Sequence, residues 1–208
     1  MFTGIVEEVG TIKKINQLSD EAIQLTIEAK VILEELSIGD SIAVNGICLT
    51  ATSFHQTAFQ VDVMPETMRA TSLATLQQKS IVNLERALQP TDRFGGHFVT
   101  GHIDGTGEII RKQEYENAVY IDIQASSSLI DYFIMKGSIA VDGVSLTIFG
   151  VDHKQGTVTI SLIPHTLSVT NLGEKNVGDI VNIECDMLAK HVHHYVKNML
   201  QPDRLTEE

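Results

Sequence analysis

Cysteine is scarce. Cys48 and Cys185 are the two in 208 residues, too few to staple a disulfide scaffold, and neither stands in a CxxC or paired-His spacing that would hold zinc. Both are expected as reduced thiols in a cytosol. Positive charge is also short: 15 Lys and Arg against 27 Asp and Glu leave a net charge of −12. A binder of phosphate backbones needs a concentrated cationic face, so nucleic acid is not an expected partner. Long apolar runs are missing as well, each being broken by a charge or a glycine well before the ~20 residues that cross a bilayer, so no membrane partner is expected. The opening Met1-Phe2-Thr3-Gly4-Ile5 has no basic segment ahead of an apolar one, which suits a cytoplasmic protein that is not exported. No GxxxxGK[ST] loop occurs, and Gly105-Thr106-Gly107 fails the dinucleotide fingerprint because Ile110 holds the third glycine position. With 43% hydrophobic and 20% charged residues, the chain falls among ordinary globular proteins.

What the chain does have is a repeat. Residues 41–50, Ser-Ile-Ala-Val-Asn-Gly-Ile-Cys-Leu-Thr, return at 138–147 as Ser-Ile-Ala-Val-Asp-Gly-Val-Ser-Leu-Thr, seven identities in ten positions at an offset of 97. Thr3-Gly4 maps onto Thr100-Gly101 at that offset, while Met64-Pro65-Glu66-Thr67 matches Ile163-Pro164-His165-Thr166 at an offset of 99. Such a period is too long for a solenoid unit and suits a small domain, so one fold has been duplicated in tandem. The break falls in Gln89–Gly96, where proline and paired glycine interrupt the pattern.

Within each copy the period is two. Ile23, Leu25 and Ile27 alternate with polar residues, as do Phe59, Val61 and Val63, then Val119, Ile121 and Ile123, then Val158, Ile160 and Leu162. That alternation predicts half-buried strands, and Asn45-Gly46 and Asp142-Gly143 between apolar β-formers predict type I′ hairpins. The spacing of short strands and turns indicates an antiparallel barrel or sandwich. Brief helices are expected within Val31–Leu36 and Ser126–Phe133. After the second copy, Leu188, Val192, Tyr195, Val196 and Met199 form one apolar stripe on a helix running to about Leu200. It either folds back on its own barrel or joins several chains together.

Duplication separates what the fold needs from what has specialised. Cys48 stands opposite Ser145, Ile5 opposite His102, Glu66 opposite His165, and Ala87 opposite Asp186. Each has an ordinary reading: a small buried thiol, a surface imidazole, a hydroxyl bonded to nearby backbone. Histidine is nevertheless the side chain best poised for proton transfer near neutrality. His191, His193 and His194 read as a solvated helix face rather than a metal site, since the run holds no acidic ligand.

Met1-Phe2-Thr3-Gly4-Ile5-Val6, Asn45-Gly46-Ile47-Cys48-Leu49-Thr50, Gly95-Gly96-His97, Gly101-His102-Ile103 and Asp142-Gly143-Val144-Ser145-Leu146-Thr147 together resemble the riboflavin synthase alpha-chain family, in order and over essentially all of residues 1 to 200. The resemblance implies an all-β chain of tandem duplicated six-stranded Greek-key barrels, residues 1–97 and 98–187, each binding one lumazine. It further implies a C-terminal helix and tail at 188–208 that assemble a homotrimer. Two molecules of 6,7-dimethyl-8-ribityllumazine would exchange a four-carbon unit to give riboflavin and 5-amino-6-ribitylamino-uracil, with no metal or redox cofactor. Association with lumazine synthase is left open.

Carried over by position, the resemblance gives the first barrel a pocket of Gly4, Ile5, Val6, Cys48, Leu49, Thr50, Asp62, Val63, Met64, Pro65, Glu66 and Thr67. The second pocket takes Gly101, His102, Ile103, Ser145, Leu146, Thr147, Ser161, Leu162, Ile163, Pro164, His165 and Thr166, with Lys136 reaching a ligand across the chain interface. His102, Ser145 and Thr147 would move protons and stabilise the anion in the second barrel. Cys48 would activate the lumazine in the first, and Asp186 would support polar contacts nearby. His165 departs from the family pattern, which resembles Glu66 of the first copy. The competing readings are a lumazine- or flavin-holding antenna without turnover, and a plain interaction module.

Overall fold

Alternating apolar residues close the sheets. In the computed structural model, which describes residues 1–18 and 22–200, Ile23, Leu25 and Ile27 of β2 (Ile23–Glu28) stand opposite Val63, Val61 and Phe59 of β5 (Ala58–Val63), and all six side chains are buried. Stacked in register, they form one wall of a core in which period two puts every second residue inside. The first barrel is completed by β1 (Glu8–Gln17), β3 (Ser41–Val44), β4 (Ile47–His55) and β6 (Ile81–Arg86), closed in the order β1-β2-β5-β4-β3-β6 with all pairs antiparallel. Closure leaves no edge strand to template unwanted pairing.

The second barrel repeats this connectivity with β7 (Gly105–Tyr115), β8 (Ala118–Ala125), β9 (Ser138–Val141), β10 (Val144–Asp152), β11 (Thr157–Leu162) and β12 (Ile180–Cys185). Even the irregularities are copied. Register shifts occur at Ile12/Lys14 and Ala51/Ser53 in the first barrel and at Ile109/Arg111 and Ile148/Gly150 in the second. Bulges bend strands, and a small closed barrel needs its bends at fixed places. The hairpin tips follow the expected turn chemistry, with φ of 46° and 79° at Asn45 and Gly46 and 45° and 80° at Asp142 and Gly143.

Helices are few and short. Ser126–Phe133 yields α2 (Ser127–Ile130), whereas Val31–Leu36 is a turn: the Glu8 carboxylate accepts hydrogen bonds from the backbone N–H groups of Lys30, Val31 and Ile32, replacing what a helix would supply. Two helices were not anticipated, α1 (Pro65–Ala70) and α3 (Pro164–Val169), each opened by a proline whose missing N–H costs nothing in a first turn. The stripe beyond the second barrel lies on α4 (Met187–Leu200), with the expected tail from 201 onward outside the described residues. Among the described residues no helix is long and apolar enough to cross a membrane.

The barrels meet through polar groups at their hairpin tips. Gly46 and Gly143 lie back to back, so close that a Cβ on Gly46 would stand 2.7 Å from the Gly143 nitrogen. Around them Asn83 Nδ2 donates to Asp142 O at 2.9 Å and Asn171 Oδ1 at 2.8 Å, and Asn182 Nδ2 donates to Asn45 O at 2.9 Å. These groups are wholly buried, so their mutual satisfaction fixes the pairing of the two barrels: a mispaired arrangement would leave them unmet. Beside them Phe2, Ala43, Val99 and Ala140 form a small apolar cluster spanning both copies.

Candidate active site

Two glycine turns carry the chain from one barrel to the other. Thr3-Gly4 runs ahead of β1 and Thr100-Gly101 ahead of β7, and the two leading segments touch through a β-bridge between Phe2 and Val99. Beyond that bridge each turn docks on the opposite barrel. The Gly4 carbonyl accepts from Ser145 N at 2.7 Å, and the Gly101 carbonyl accepts from Cys48 N at 2.9 Å. Glycine is required at both places. Their φ angles are +77° and +82°, and a Cβ on either would come within 2.6 Å of the Cβ of Ser145 or 2.5 Å of that of Cys48.

Each turn is held from behind by a glutamate on the last strand of its own barrel. Glu85 accepts from Thr3 N at 2.7 Å, Thr3 Oγ1 at 3.2 Å and Gly4 N at 3.1 Å. Glu184 accepts from Thr100 N and Oγ1, both at 2.7 Å, and from Gly101 N at 2.9 Å. Burial pushes the Glu85 carboxyl up to about 7, against the pull of its hydrogen bonds from Thr3, Gly4 and Ile5.

The crossing corrects the grouping by contiguous barrels. Gly4, Ile5 and Val6 belong with Ser145, Leu146 and Thr147, and Val6 packs against the second core. Gly101, His102 and Ile103 belong with Cys48, Leu49 and Thr50, and Ile103 packs against the first core. Within one chain His102 therefore accompanies Cys48, not Ser145 and Thr147. The imidazole on Ser145 is a different one: His97 Nδ1 lies 2.7 Å from Ser145 Oγ. Reading by position passed over His97, although Gly95-Gly96 ahead of it was a usable signal. Gly96 passes so close to the Thr3 carbonyl and to Ser145 that no side chain fits there.

The remaining expected residues sort by exposure. Thr50 and Thr147 point outward near the strand starts, while Leu49, Val63 and Leu162 turn into the barrel cores, which leaves only their backbone available for contacts outside. Leu146 and Ser161 are half-buried. Asp62 is exposed and accepts from Gln24 Nε2 at 2.9 Å. Met64-Pro65-Glu66-Thr67 and Ile163-Pro164-His165-Thr166 form the entries to α1 and α3, beside the ends of β5 and β11. Glu66 pairs with Arg69 at 3.2 Å on the exposed face of α1, and exposed His165 has no such cation three residues on, where Ser168 stands. Lys136 is exposed, with φ of +64° at the position where the first copy has Gly39. Asp186 caps α4 by accepting from Leu188 N at 2.8 Å. The histidines of α4 also find partners: His193 rests its ring 5.0 Å from that of Tyr132, and His194 Nε2 is 3.0 Å from Asn198 Nδ2.

Two open faces thus carry the same backbone frame and unlike side chains, Cys48 with His102 on one and Ser145 with His97 on the other. The lumazine binding domain family matches the chain twice, over residues 3–87 and 100–186, and each matched segment contains one of these faces' strands. The riboflavin synthase of Bacillus subtilis (strain 168) is 57% identical over 94% of this chain and 90% of its own. The chain belongs to the riboflavin synthase family. Other relatives are the riboflavin synthases of Actinobacillus pleuropneumoniae, 48% identical over 94% of this chain and 90% of theirs, and of Schizosaccharomyces pombe, 41% identical over 95% and 94%. Among solved structures, LumP complexed with 6,7-dimethyl-8-(1'-D-ribityl) lumazine superposes with a TM-score of 0.80 at 28% identity, covering 88% of this chain and 98% of LumP. LumP complexed with riboflavin gives 0.81 at 29% identity, over 89% and 99%.

Proposed function

We propose that this chain catalyses the riboflavin synthase reaction, in which two molecules of 6,7-dimethyl-8-ribityllumazine exchange a four-carbon unit to yield riboflavin and 5-amino-6-ribitylamino-uracil. The observation that carries this reading is the pair of glycine-docked faces with matching frames and different reactive side chains. Two identical substrates with opposite fates need two sites that recognise one ring and treat it differently. The two products together contain the atoms of the two substrates, so the reaction needs no outside oxidant or reductant.

Recognition falls to groups that both faces share. Backbone N–H and C=O groups of residues 48–50 and 145–147 would read the pyrimidinedione edge, with the Thr50 and Thr147 hydroxyls orienting it. The entries to α1 and α3 would meet the ribityl chain. Chemistry then starts at the 7-methyl group, which is acidic because its carbanion delocalises into the ring. A modest base suffices, a role that would fall to Ser145; Cys48 and His102 would act on the partner lumazine. Holding two rings in near-attack geometry can contribute several kcal/mol, up to about 7–11 in well-oriented models.

The two faces belong to different barrels, and in this reading the productive pair of rings forms between one face of a chain and the other face of its neighbour. The stripe on α4 supports such an assembly, a trimer in our reading, because Leu188, Val192, Tyr195, Val196 and Met199 are all about half or more exposed in the single chain. Lys136 would then reach the neighbouring ligand. The test is to mix purified protein with 6,7-dimethyl-8-ribityllumazine, add nothing else, and follow flavin absorbance. Riboflavin and the uracil should appear in equal amounts. A stable complex that never turns over would select an antenna role instead.

A further inference from the structure

The outer face of the second barrel carries aromatic rings where the first carries small polar groups. The chain has no tryptophan and four tyrosines, yet Tyr115 of β7, Tyr120 of β8 and Phe149 of β10 meet in one ladder. Tyr120 stands edge-on to Phe149, with ring centroids 5.1 Å apart at 68°, and Tyr115 stands 6.5 Å from Tyr120 at 63°. Strand register brings them together. Phe149 occupies the bulge between Ile148 and Gly150, and Tyr120 pairs with Ser161. Because Ile121, Ile148 and Ile160 are buried, period two turns Tyr120, Phe149 and Ser161 to the outside, the side that carries Thr147. Phe149 is 57% exposed there and Tyr115 61%.

The first copy shows that the barrel does not need these rings. Its bulge between Ala51 and Ser53 holds Thr52, whose hydroxyl donates to Gln60 O at 3.2 Å. Its counterpart of the Tyr120–Ser161 pair is Gln24 with Asp62, joined at 2.9 Å. Nor do the rings shelter an unmet polar group. In the neighbouring row Thr159 Oγ1 donates to Asp122 at 2.7 Å, and Arg111 Nε donates to the same carboxylate at 2.6 Å. The position of the ladder is what distinguishes it. Ser145, Thr147 and Phe149 are alternate residues of one strand, and Thr147 and Phe149 stand about 7 Å apart along it.

We propose that Tyr120 and Phe149 form a ring-binding wall of the second face, against which the lumazine held at residues 145–147 packs. Aromatic rings attract a flat conjugated heterocycle beyond the area they bury, by stacking or by edge-to-face contact. The first face, with Thr52 and Gln24 in those places, holds the same ring without such a wall. The two lumazines of one reaction are therefore bound with unequal strength, and the second face fills first. This inference rests on the synthase reading for the identity of the ring and adds to it a specificity element confined to one face.

Calorimetric titration of the full chain with 6,7-dimethyl-8-ribityllumazine should resolve two classes of site. In Tyr120→Ala and in Phe149→Ala the tighter class should weaken roughly 3- to 10-fold, the usual worth of one aromatic contact, with the weaker class unmoved. In the flavin assay KM should rise by more than kcat falls. Tyr120→Phe keeps the ring and should bring affinity back to within about twofold of wild type. In protein carrying 3-fluorotyrosine, the ¹⁹F resonance missing from Tyr120→Phe identifies Tyr120, and lumazine should shift it in the wild type. Wild-type affinity in both alanine variants, with an unmoved Tyr120 resonance, overturns the wall and leaves the synthase reading intact. Alanine variants that sediment as single chains before any ligand is added, where the wild type does not, overturn it as well, since the rings would then join copies of the chain. A wild-type protein that neither binds nor converts lumazine overturns the synthase reading and the wall with it. If neither alanine variant folds, the fluorine signal decides: no shift on lumazine refutes the contact.

Discussion

At Gly101 two constraints coincide, a φ of +82° and a Cβ position 2.5 Å from the Cys48 Cβ, whereas Gly39 has a φ of +97° with nothing within 4 Å. The left-handed conformation alone costs a non-glycine residue about 1–2 kcal/mol, which is what Gly39→Ala should lose in a denaturant titration. Gly101→Ala must also push its turn off β4, so it should lose more stability than Gly39→Ala and most of its turnover as well. Equal losses in the two variants would show that the docking contact contributes nothing. Lys136 accepts the same backbone cost where the first copy has Gly39, which is why its side chain is worth testing at the ligand. The two thiols make a second contrast. Cys185 is 1% exposed and burial pushes it up to about 12, while Cys48 is half-buried at the mouth of its face. Iodoacetamide on the native protein near pH 8 should label Cys48, more slowly with lumazine bound, and leave Cys185 untouched by mass spectrometry.

Among the elements, the strands were legible because period two survives wherever one face is buried, and the hairpins because Asn45-Gly46 and Asp142-Gly143 admit few other turns. Val31–Leu36 misled because its apolar residues sit under a turn whose amides are claimed by Glu8, a partner 22 or more residues away that no local pattern reveals. The pocket grouping misled for a related reason. A repeat identifies which residues correspond, but the hydrogen bonds from Ser145 to Gly4 and from Cys48 to Gly101 run between copies, where no offset points. Glu85, behind the first of those turns, makes its docking sensitive to pH. Glu85 binds its proton in the folded chain up to about 7 against 4.5 for the ordinary group. Between those values the folded state holds a proton that the unfolded state has released, so stability falls as pH rises through the window, by up to about 3 kcal/mol. Buried Asp142 is raised too, chiefly by desolvation, and adds to the same trend. Urea midpoints at pH 5 and pH 8 should therefore differ less in Glu85→Gln than in wild type, and parallel curves would exclude Glu85 as a source of the slope.

Across the whole molecule, symmetry is kept where the barrels meet and broken at the Cys48 and Ser145 faces. Buried amides lock the tips of the two copies, and a mispairing would strand several of them in an apolar setting. In the proposed assembly, two stacked rings bring the Cys48 face of one chain against the Ser145 face of another. The α4 helix is tied to its own barrel on one side, by Lys190 to Asp104 at 2.9 Å and His193 against Tyr132, with a groove of about 470 Å³ between them. The most exposed residues of its stripe point away from that attachment: Tyr195 is 65% exposed and Met199 80%. Replacing both with aspartate removes the ring contact of Tyr195 with His194 within α4 and replaces no barrel residue, so the barrels should keep their thermal midpoint to within a few degrees, as surface changes usually do. Assembly should fail, however, and turnover should fall by roughly 10-fold or more at low protein concentration, recovering as concentration rises by mass action. Sedimentation velocity read beside the flavin assay separates the outcomes. A double variant that runs as a monomer and still turns over at the wild-type rate would mean that one chain stacks both rings by itself, and would overturn the shared-site reading.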